Sequence, residues 1–437
     1  MDMVTGNSHE PRQYDLAVFG ATGLTGRLVV RQLAGMDAQP RGPDGKRLWA
    51  AVGRNREQVT QMLAELELDG VDILVADLDQ PASLQALARR TTAVVNLAGP
   101  YTQKAASLIE ACVEAGTSYV DLSGEIPFLR RVIDRFDASA RAAGVQVVQM
   151  AGWEAMPADL TTLVACRRAV GDEAGADGPG AADPIAEVVV SVTFTRRPEG
   201  GVPFRQQVSA GTMASVVAML DDPDAALVGH ADALLPDGTG GGKADRLRFG
   251  ASDAQGRVLG PVPPVAFLNP PIIRRTAALL AAGRNAPYSA ASYVEGEDMG
   301  GATLAAALGR QLKAKAKGEL QQLAVAATGL PLAVRQAAAA GLRQVLPEAG
   351  TGPSNRFLED WAWRVEARAT AKDGRIGTSS LEGTGHPGYT ATAAIIVEVA
   401  LHVLDRDRPG RHLGCVTPAL AIGASAGTLR VETLSLR

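Results

Sequence analysis

The sequence predicts an α/β protein: a doubly wound parallel sheet followed by a second domain of different make-up. Three observations predict it. Apolar runs and helical periodicity alternate six times between residues 14 and 152, which is the signature of successive strand-helix units. That alternation then stops near Gly152. A chain of 437 residues also exceeds what one ordinary core holds, so two domains are expected.

The first unit, residues 14–33, reads YDLAVFGATGLTGRLVVRQL. Residues 16–19 are a short apolar run of the kind a buried parallel strand needs. From Gly23 onward Leu24, Leu28, Val29 and Leu33 recur at helical spacing. Between them lies the loop Gly20, Ala21, Thr22, Gly23, Leu24, Thr25, Gly26. Glycines in that position let the backbone turn tightly and approach a pyrophosphate, whose charge the N–H groups at the helix start favour. The expected ligand is a dinucleotide.

Residues 48–53 read as a second strand, followed at once by Arg54, Asn55 and Arg56. An NAD-specific fold places an acidic side chain there for the ribose hydroxyls; a guanidinium suits a 2′-phosphate instead. The expected cofactor is therefore NADP(H), the competing reading being a plain surface arginine. A helix over 59–66 leads to a third strand ending at Asp77, whose carboxylate is placed either for an adenine amino group or for helix capping. After a helix over 83–89 comes TAVVNLAGPY, a strand with Asn96, Ala98, Gly99, Pro100 and Tyr101 at its carboxyl end. Ligands of open α/β sheets sit beyond such ends, and the slim turn leaves room for ribose or nicotinamide. A helix over 105–115, the strand SYVDL, the polar cluster Asp121, Ser123, Gly124 and Glu125, a helix over 128–143 and the strand VQVVQM complete the alternation.

Beyond Gly152 a helix is expected over 157–168, and AEVVVSVTFT reads as a strand of a mixed sheet. Residues 210–220 are helical in pattern, while 171–183, 237–243 and 261–271 read as Gly- or Pro-rich loops. Two Ala-rich helices, 303–328 and 332–346, are expected to supply apolar core, with a partner-facing surface as the competing reading. WAWRVEARATA and residues 375–382 form an antiparallel pair turned at Lys372, Asp373 and Gly374.

Composition excludes several classes. With 43 basic and 47 acidic residues the net charge is −4, so nothing favours nucleic acid or an anionic membrane surface. Cys112, Cys166 and Cys415 are far apart and read as small core residues, without a disulfide or metal site. Residues 1–13 are a polar tail, and the longest apolar stretch, 390–404, carries Glu398 and His402 and reads as a buried helix. A soluble, cytoplasmic protein without stable membrane insertion is expected.

Taken in order, GATGLTG, the VGRN strand end, VVNLAGPY, AGTSYVDLSGE, MPADL, Arg274-Arg275-Thr276, PEAGTGPS, GYTATA and VTPALAIG resemble the saccharopine dehydrogenase-like oxidoreductases. Within them the chain looks most like the trans-acting enoyl reductases, which reduce enoyl thioesters on polyketide synthases lacking a working reductase. The resemblance implies a Rossmann domain over 14–152, a second α+β substrate domain over 153–389, and a C-terminal segment, 390–437, returning to the first domain. It implies an NADPH-dependent reductase of an acyl or polyketide-type thioester, with a polyketide synthase or acyl carrier protein as partner and a homodimer left open. An imine or carbonyl reductase of a specialised pathway, and a non-catalytic NADP-binding regulator, are the alternatives.

Three positions depart from the family pattern: Lys104-Ala105 after the GPY turn, Ala151-Gly152-Trp153-Glu154-Ala155 before the proline, and His386 at the start of His-Pro-Gly-Tyr. Reduction of an enoyl thioester needs a donor for the enolate oxygen and a proton for the α-carbon. Tyr101, Lys104 and Glu125 are the candidate catalytic residues, and Trp153, Arg274 and Arg275 the candidate substrate contacts. Against these stand a packed tyrosine, an exposed lysine and a domain-bridging salt bridge. No Tyr-x-x-x-Lys pair supports a short-chain dehydrogenase mechanism.

Overall fold

A computed structural model of the chain describes residues 12–36, 48–171, 184–198, 210–235, 259–260, 268–281, 291–298, 304–344, 353–354, 357–423 and 429–437. The tail before residue 12, nearly all of the segments 36–47, 171–183 and 237–243, and most of 261–271 lie outside them.

The apolar runs of the first half become strands buried on both faces, as a sheet covered by helices on each side requires. In chain order they are β1 Tyr14–Phe19, α1 Leu24–Gly35, β2 Trp49–Gly53, α2 Arg56–Glu65, β3 Asp72–Val75 and α3 Pro81–Arg90. There follow β4 Thr91–Asn96, α4 Tyr101–Glu114, β5 Ser118–Asp121, α5 Ile126–Ala142 and β6 Gln146–Val148. Strand order is β3-β2-β1-β4-β5-β6, all parallel. The order reverses between β1 and β4, so a crevice opens at their carboxyl ends, where an open α/β sheet binds its ligand.

α6, Met156–Val170, leaves this sheet and lies across a second, mixed one. Its strands are β7 Ile185–Arg196, β8 Leu259–Gly260, β9 Ser292–Asp298, β10 Ala362–Ala371 and β11 Ile376–Thr384. β10 pairs antiparallel with both β7 and β11, and Gly374, at φ +88°, makes the turn between β10 and β11. Helices α7 Ala210–Asp221, α8 Asn269–Ala281, α9 Leu304–Ala327 and α10 Leu332–Arg343 belong to the same half.

α8 and β9 go beyond the sequence reading. Pro270 and Pro271 read as loop, yet they occupy the first turn of α8, where their missing N–H groups cost nothing. SYVEGED lacks a run of apolar residues but completes the parallel edge of β7. The expectation that α9 and α10 supply core is corrected: Leu308, Leu312, Leu323, Leu332 and Val334 are exposed, whereas small residues such as Ala314 and Ala339 are buried. Alanine is apolar enough to read as core on either face of a helix.

The C-terminal segment does return to the first sheet. α11, Thr392–Val403, is buried on every side and packs against α1, β4 and β5. Strand β12, Gly414–Val416, then adds beside β6 in parallel, and α12, Pro418–Ile422, follows it. The last strand departs from that expectation. β13, Leu434–Leu436, pairs antiparallel with β11 of the second sheet, so this segment fastens both halves together.

Glu398 is the fastening point. Fully buried on α11, its carboxylate accepts from the N–H groups of Arg430 (2.8 Å) and Val431 (2.7 Å) and meets His402 Nε2 at 2.8 Å. Truncation leaves buried donors unsatisfied, at a cost of about 3 kcal/mol. Glu398→Ala is therefore expected to lower Tm by ~5–10 °C in a thermal melt, and an unchanged Tm would contradict this role.

Candidate active site

The site is built from the carboxyl ends of β1, β2, β4, β5 and β6. After β1, Gly20 adopts φ +80°, a left-handed conformation that side-chain-bearing residues rarely take. A Cβ there would press on the Leu97–Ala98 peptide at 3.1 Å. Gly20 and Ala21 both donate to Val52 O, at 3.0 and 3.1 Å, which fixes the loop against β2. Gly26 is where α1 crosses closest to the strand end: a Cβ would overlap Gly20 O and lie 2.7 Å from Ala21 O. Gly23 is the N-cap, with no side chain to cover the first-turn N–H groups, and no acidic residue stands in that turn. Thr22, Leu24 and Thr25 complete the loop.

Arg54 is exposed at the end of β2, with no hydrogen-bond or ion-pair partner among the described residues. Its neighbour Asn55 is engaged otherwise, as the N-cap of α2 accepting from Gln58 N–H at 3.2 Å. Asp77 sits just beyond β3, where its Oδ1 accepts from Asp79 N–H at 3.0 Å in the turn ahead of α3; the N-cap of that helix is Gln80, without a side-chain cap. Asn96, fully buried, accepts from Ala98 N–H at 3.0 Å and donates to the Tyr119 hydroxyl at 2.9 Å. It thereby shapes the Ala98, Gly99, Pro100 turn from below. The residues present fit a dinucleotide: a cradle that any side chain would fill, an open helix start, and a free cation at the second strand end.

The candidate catalytic residues are placed as follows. Tyr101 is buried in the first turn of α4, and its hydroxyl donates to Asn96 O at 3.3 Å. Burial and the nearby Asp121 and Glu154 carboxyls raise its pKa well above 10, so it can donate a hydrogen bond but resists ionisation. Glu125 is fully buried and both of its oxygens are used. Oε2 accepts from Thr102 N–H (2.7 Å) and hydroxyl, and Oε1 from the Ser215 hydroxyl of α7 at 2.7 Å. It caps α4 and bridges to the second half, so neither oxygen is left free for the catalytic part expected of it.

Lys104 is engaged too: it is paired with Asp79 at 2.8 Å on the surface and does not join the cluster. Both arginines expected to contact substrate are engaged within the protein, and Arg275 bridges the two halves. Arg274 pairs with Asp232, while buried Arg275 donates to Leu234 O (2.9 Å) and to Cys415 O of β12 (2.6 Å). Trp153 is nearly buried, its backbone N–H donating to Thr392 Oγ1 at 3.1 Å. It opens an aromatic series that runs through Phe194 and Trp363, each 6.0 Å away between ring centres. The indole N–H groups of Trp153 and Trp363 are buried without a hydrogen-bond partner among the described residues.

The sequence reading passed over two carboxyls as site residues. Asp121, at the end of β5, accepts from Tyr119 O–H at 2.9 Å and from Ser123 N–H and O–H at 3.0 and 2.6 Å. Burial outweighs these bonds and lifts its pKa to about 6. Glu154, half-buried after β6, is lifted to about 7, by burial first and then by the charge of Asp121. Its sequence signal was the departure from the family pattern at 151–155. Among the described residues no group of His, Cys, Asp and Glu is arranged to hold a metal ion, and no single helix is long and apolar enough to cross a membrane.

Fold and site together define a dinucleotide-binding domain of the doubly wound class, joined to a mixed-sheet domain. Comparison with known proteins carries this further. Residues 16–148 match the family described as saccharopine dehydrogenase NADP binding domain. A Mycobacterium tuberculosis protein provisionally named a trans-acting enoyl reductase is 31% identical over 432 residues, covering 94% of each chain. The trans-acting enoyl reductase of Mycobacterium bovis is 29% identical over 430 residues, again 94% of each. Among solved structures, apo saccharopine dehydrogenase (L-Glu forming) from Saccharomyces cerevisiae aligns over 97% of this chain and 99% of its own, at 13% identity and a TM-score of 0.47. The chain belongs to the saccharopine dehydrogenase-like oxidoreductases, and its cofactor is NADP(H).

Proposed function

We propose that this protein is an NADPH-dependent enoyl reductase acting in trans on an acyl or polyketide-type thioester, carried by a polyketide synthase or an acyl carrier protein. The observation that carries the reading is the end-to-end match, 94% of both chains, to relatives that bear this activity in their names. The second half and the C-terminal segment are included in that match, so the likeness extends past the cofactor domain.

The chemistry suits the site. Bound NADPH supplies a hydride for the β-carbon of the conjugated thioester. The loop from Gly20 to Gly26 would hold the pyrophosphate of the cofactor, and Arg54 its adenosine 2′-phosphate. The slim turn Ala98-Gly99-Pro100 would leave room for the nicotinamide end of the cofactor at the carboxyl end of β4, where Tyr101 begins α4. The unpartnered indole N–H of Trp153, in the aromatic wall with Phe194 and Trp363, is a donor that a thioester oxygen could take, and the low polarity around it would strengthen that bond as charge develops.

The test is to mix the protein with NADPH and, in turn, an enoyl, a keto and an imine substrate, following absorbance of the reduced nicotinamide. Consumption with the enoyl thioester alone is expected. Turnover of the imine or the ketone instead would replace this reading with the corresponding reductase.

A further inference from the structure

The turn after β6 carries a carboxyl whose placement no structural duty explains. Met150 stands at φ +56°, a backbone conformation that a side-chain-bearing residue adopts only when its surroundings enforce it. Ala151 N–H donates to Asp121 O at 2.9 Å, pinning the turn to the carboxyl end of β5. The Glu154 side chain folds back over Gly152, where an added Cβ would lie 2.6 Å from Oε1 and overlap Oε2. Only glycine at 152 leaves the carboxyl in that position.

The neighbouring acids are spoken for. Asp121 is held by Tyr119 and Ser123, and Glu125 by Thr102 and Ser215. Glu154 has no side-chain partner among the described residues and keeps an edge open to solvent. The titratable groups facing it are Asp121 on β5 and Tyr101 on α4, with Glu125 acting on Asp121, and no cationic side chain pairs with it among the described residues.

We propose that Glu154 is the acid that protonates the α-carbon of the substrate, a role that rests on the enoyl reductase reading. Hydride addition at the β-carbon moves the π electron pair of the double bond into an enolate. The Glu154 O–H bond breaks as the Cα–H bond forms, leaving Glu154 as carboxylate, which takes its next proton from water at its open edge. The sum is one enoyl thioester, one NADPH and one proton giving one saturated thioester and one NADP+. Because the protonated form is required and its pKa lies at about 7, turnover falls as pH rises through that value.

The experiment uses the NADPH-loaded enzyme with crotonyl-CoA as probe. Glu154→Gln is expected to lower kcat by about a hundredfold, keep KM and NADPH affinity within about twofold, and lose the high-pH limb; Glu154→Asp retains that limb. Independently of turnover, ¹³C NMR of protein labelled at the glutamate carboxyls is expected to contain a resonance titrating near neutrality that Glu154→Gln removes, beside that of Glu295, which burial also lifts to about 7 and which the substitution leaves in place. NADPH binding by each variant confirms that it is folded. A wild type that turns over crotonyl-CoA while Glu154→Gln keeps its kcat and pH limb would overturn the role of Glu154, as would the absence of that resonance. A wild type inert toward enoyl thioesters would overturn the enoyl reading, and this role with it, and that result is distinct from the first.

Discussion

Gly26→Ala is expected to abolish measurable NADPH binding and to destabilise the protein by about 3 kcal/mol, the upper part of the overpacking range. The new Cβ would meet backbone, namely Gly20 O and Ala21 O, the latter at 2.7 Å. A flexible side chain could swing away, but these oxygens cannot. Gly20 and Ala21 are tied to Val52 O, and Gly23 N–H donates to Gly20 O at 3.1 Å. Relief therefore requires α1 to move off β1, which carries the open helix start away from the pyrophosphate position. Thermal denaturation and a fluorescence titration with NADPH measure both effects. A Gly26→Ala protein with wild-type Tm and affinity would show that α1 has room the geometry denies.

Arg54→Ala is the second large effect, and it is selective. A guanidinium on a phosphate is worth about 1.5–3 kcal/mol as charge-assisted hydrogen bonding. Its loss should weaken NADPH by roughly 10- to 100-fold and leave NADH nearly unchanged. Because Arg54 is exposed and without a partner among the described residues, its removal breaks no internal contact, and Tm should stay at the wild-type value. Titration of both cofactors against both proteins separates the outcomes. Equal losses for NADPH and NADH would assign Arg54 to the shared part of the cofactor, and no loss would return it to the surface.

The first sheet was legible because its two periods differ so sharply. Strands buried on both faces read as solid apolar blocks, and the helices between them show the 3.6-residue repeat. The glycines of the loop were legible for a related reason, since each answers a local backbone need. What the sequence withheld depends on distance along the chain. Arg275 looks like a substrate cation until β12, 140 residues later, brings Cys415 O to it. Glu125 looks like a free acid until α7 brings Ser215. β13 joins the second sheet through a pairing with β11 that no local pattern encodes. Glu154 shows the reverse case. Its departure from the family pattern was visible, but its meaning depends on the Gly152 contact and on Asp121, which only the folded chain places beside it.

The role of the exposed α9–α10 leucines is a different matter, because alanine carries no facing preference. Sequence periodicity there fixes helix but not orientation, and Leu308, Leu312, Leu323 and Val334 turn outward while Arg335 turns in to Leu220 O and Asp222 O.

The proposed reaction is hydride transfer from NADPH to the β-carbon of an enoyl thioester. The direct measurement is turnover of crotonyl-CoA with NADPH deuterated at the nicotinamide C4, read by NMR and mass spectrometry of the product. The predicted result is a saturated thioester carrying deuterium at the β-carbon and a solvent-derived hydrogen at the α-carbon. An unreduced thioester beside readily reduced imine or carbonyl substrates, or deuterium found anywhere but the β-carbon, would contradict it.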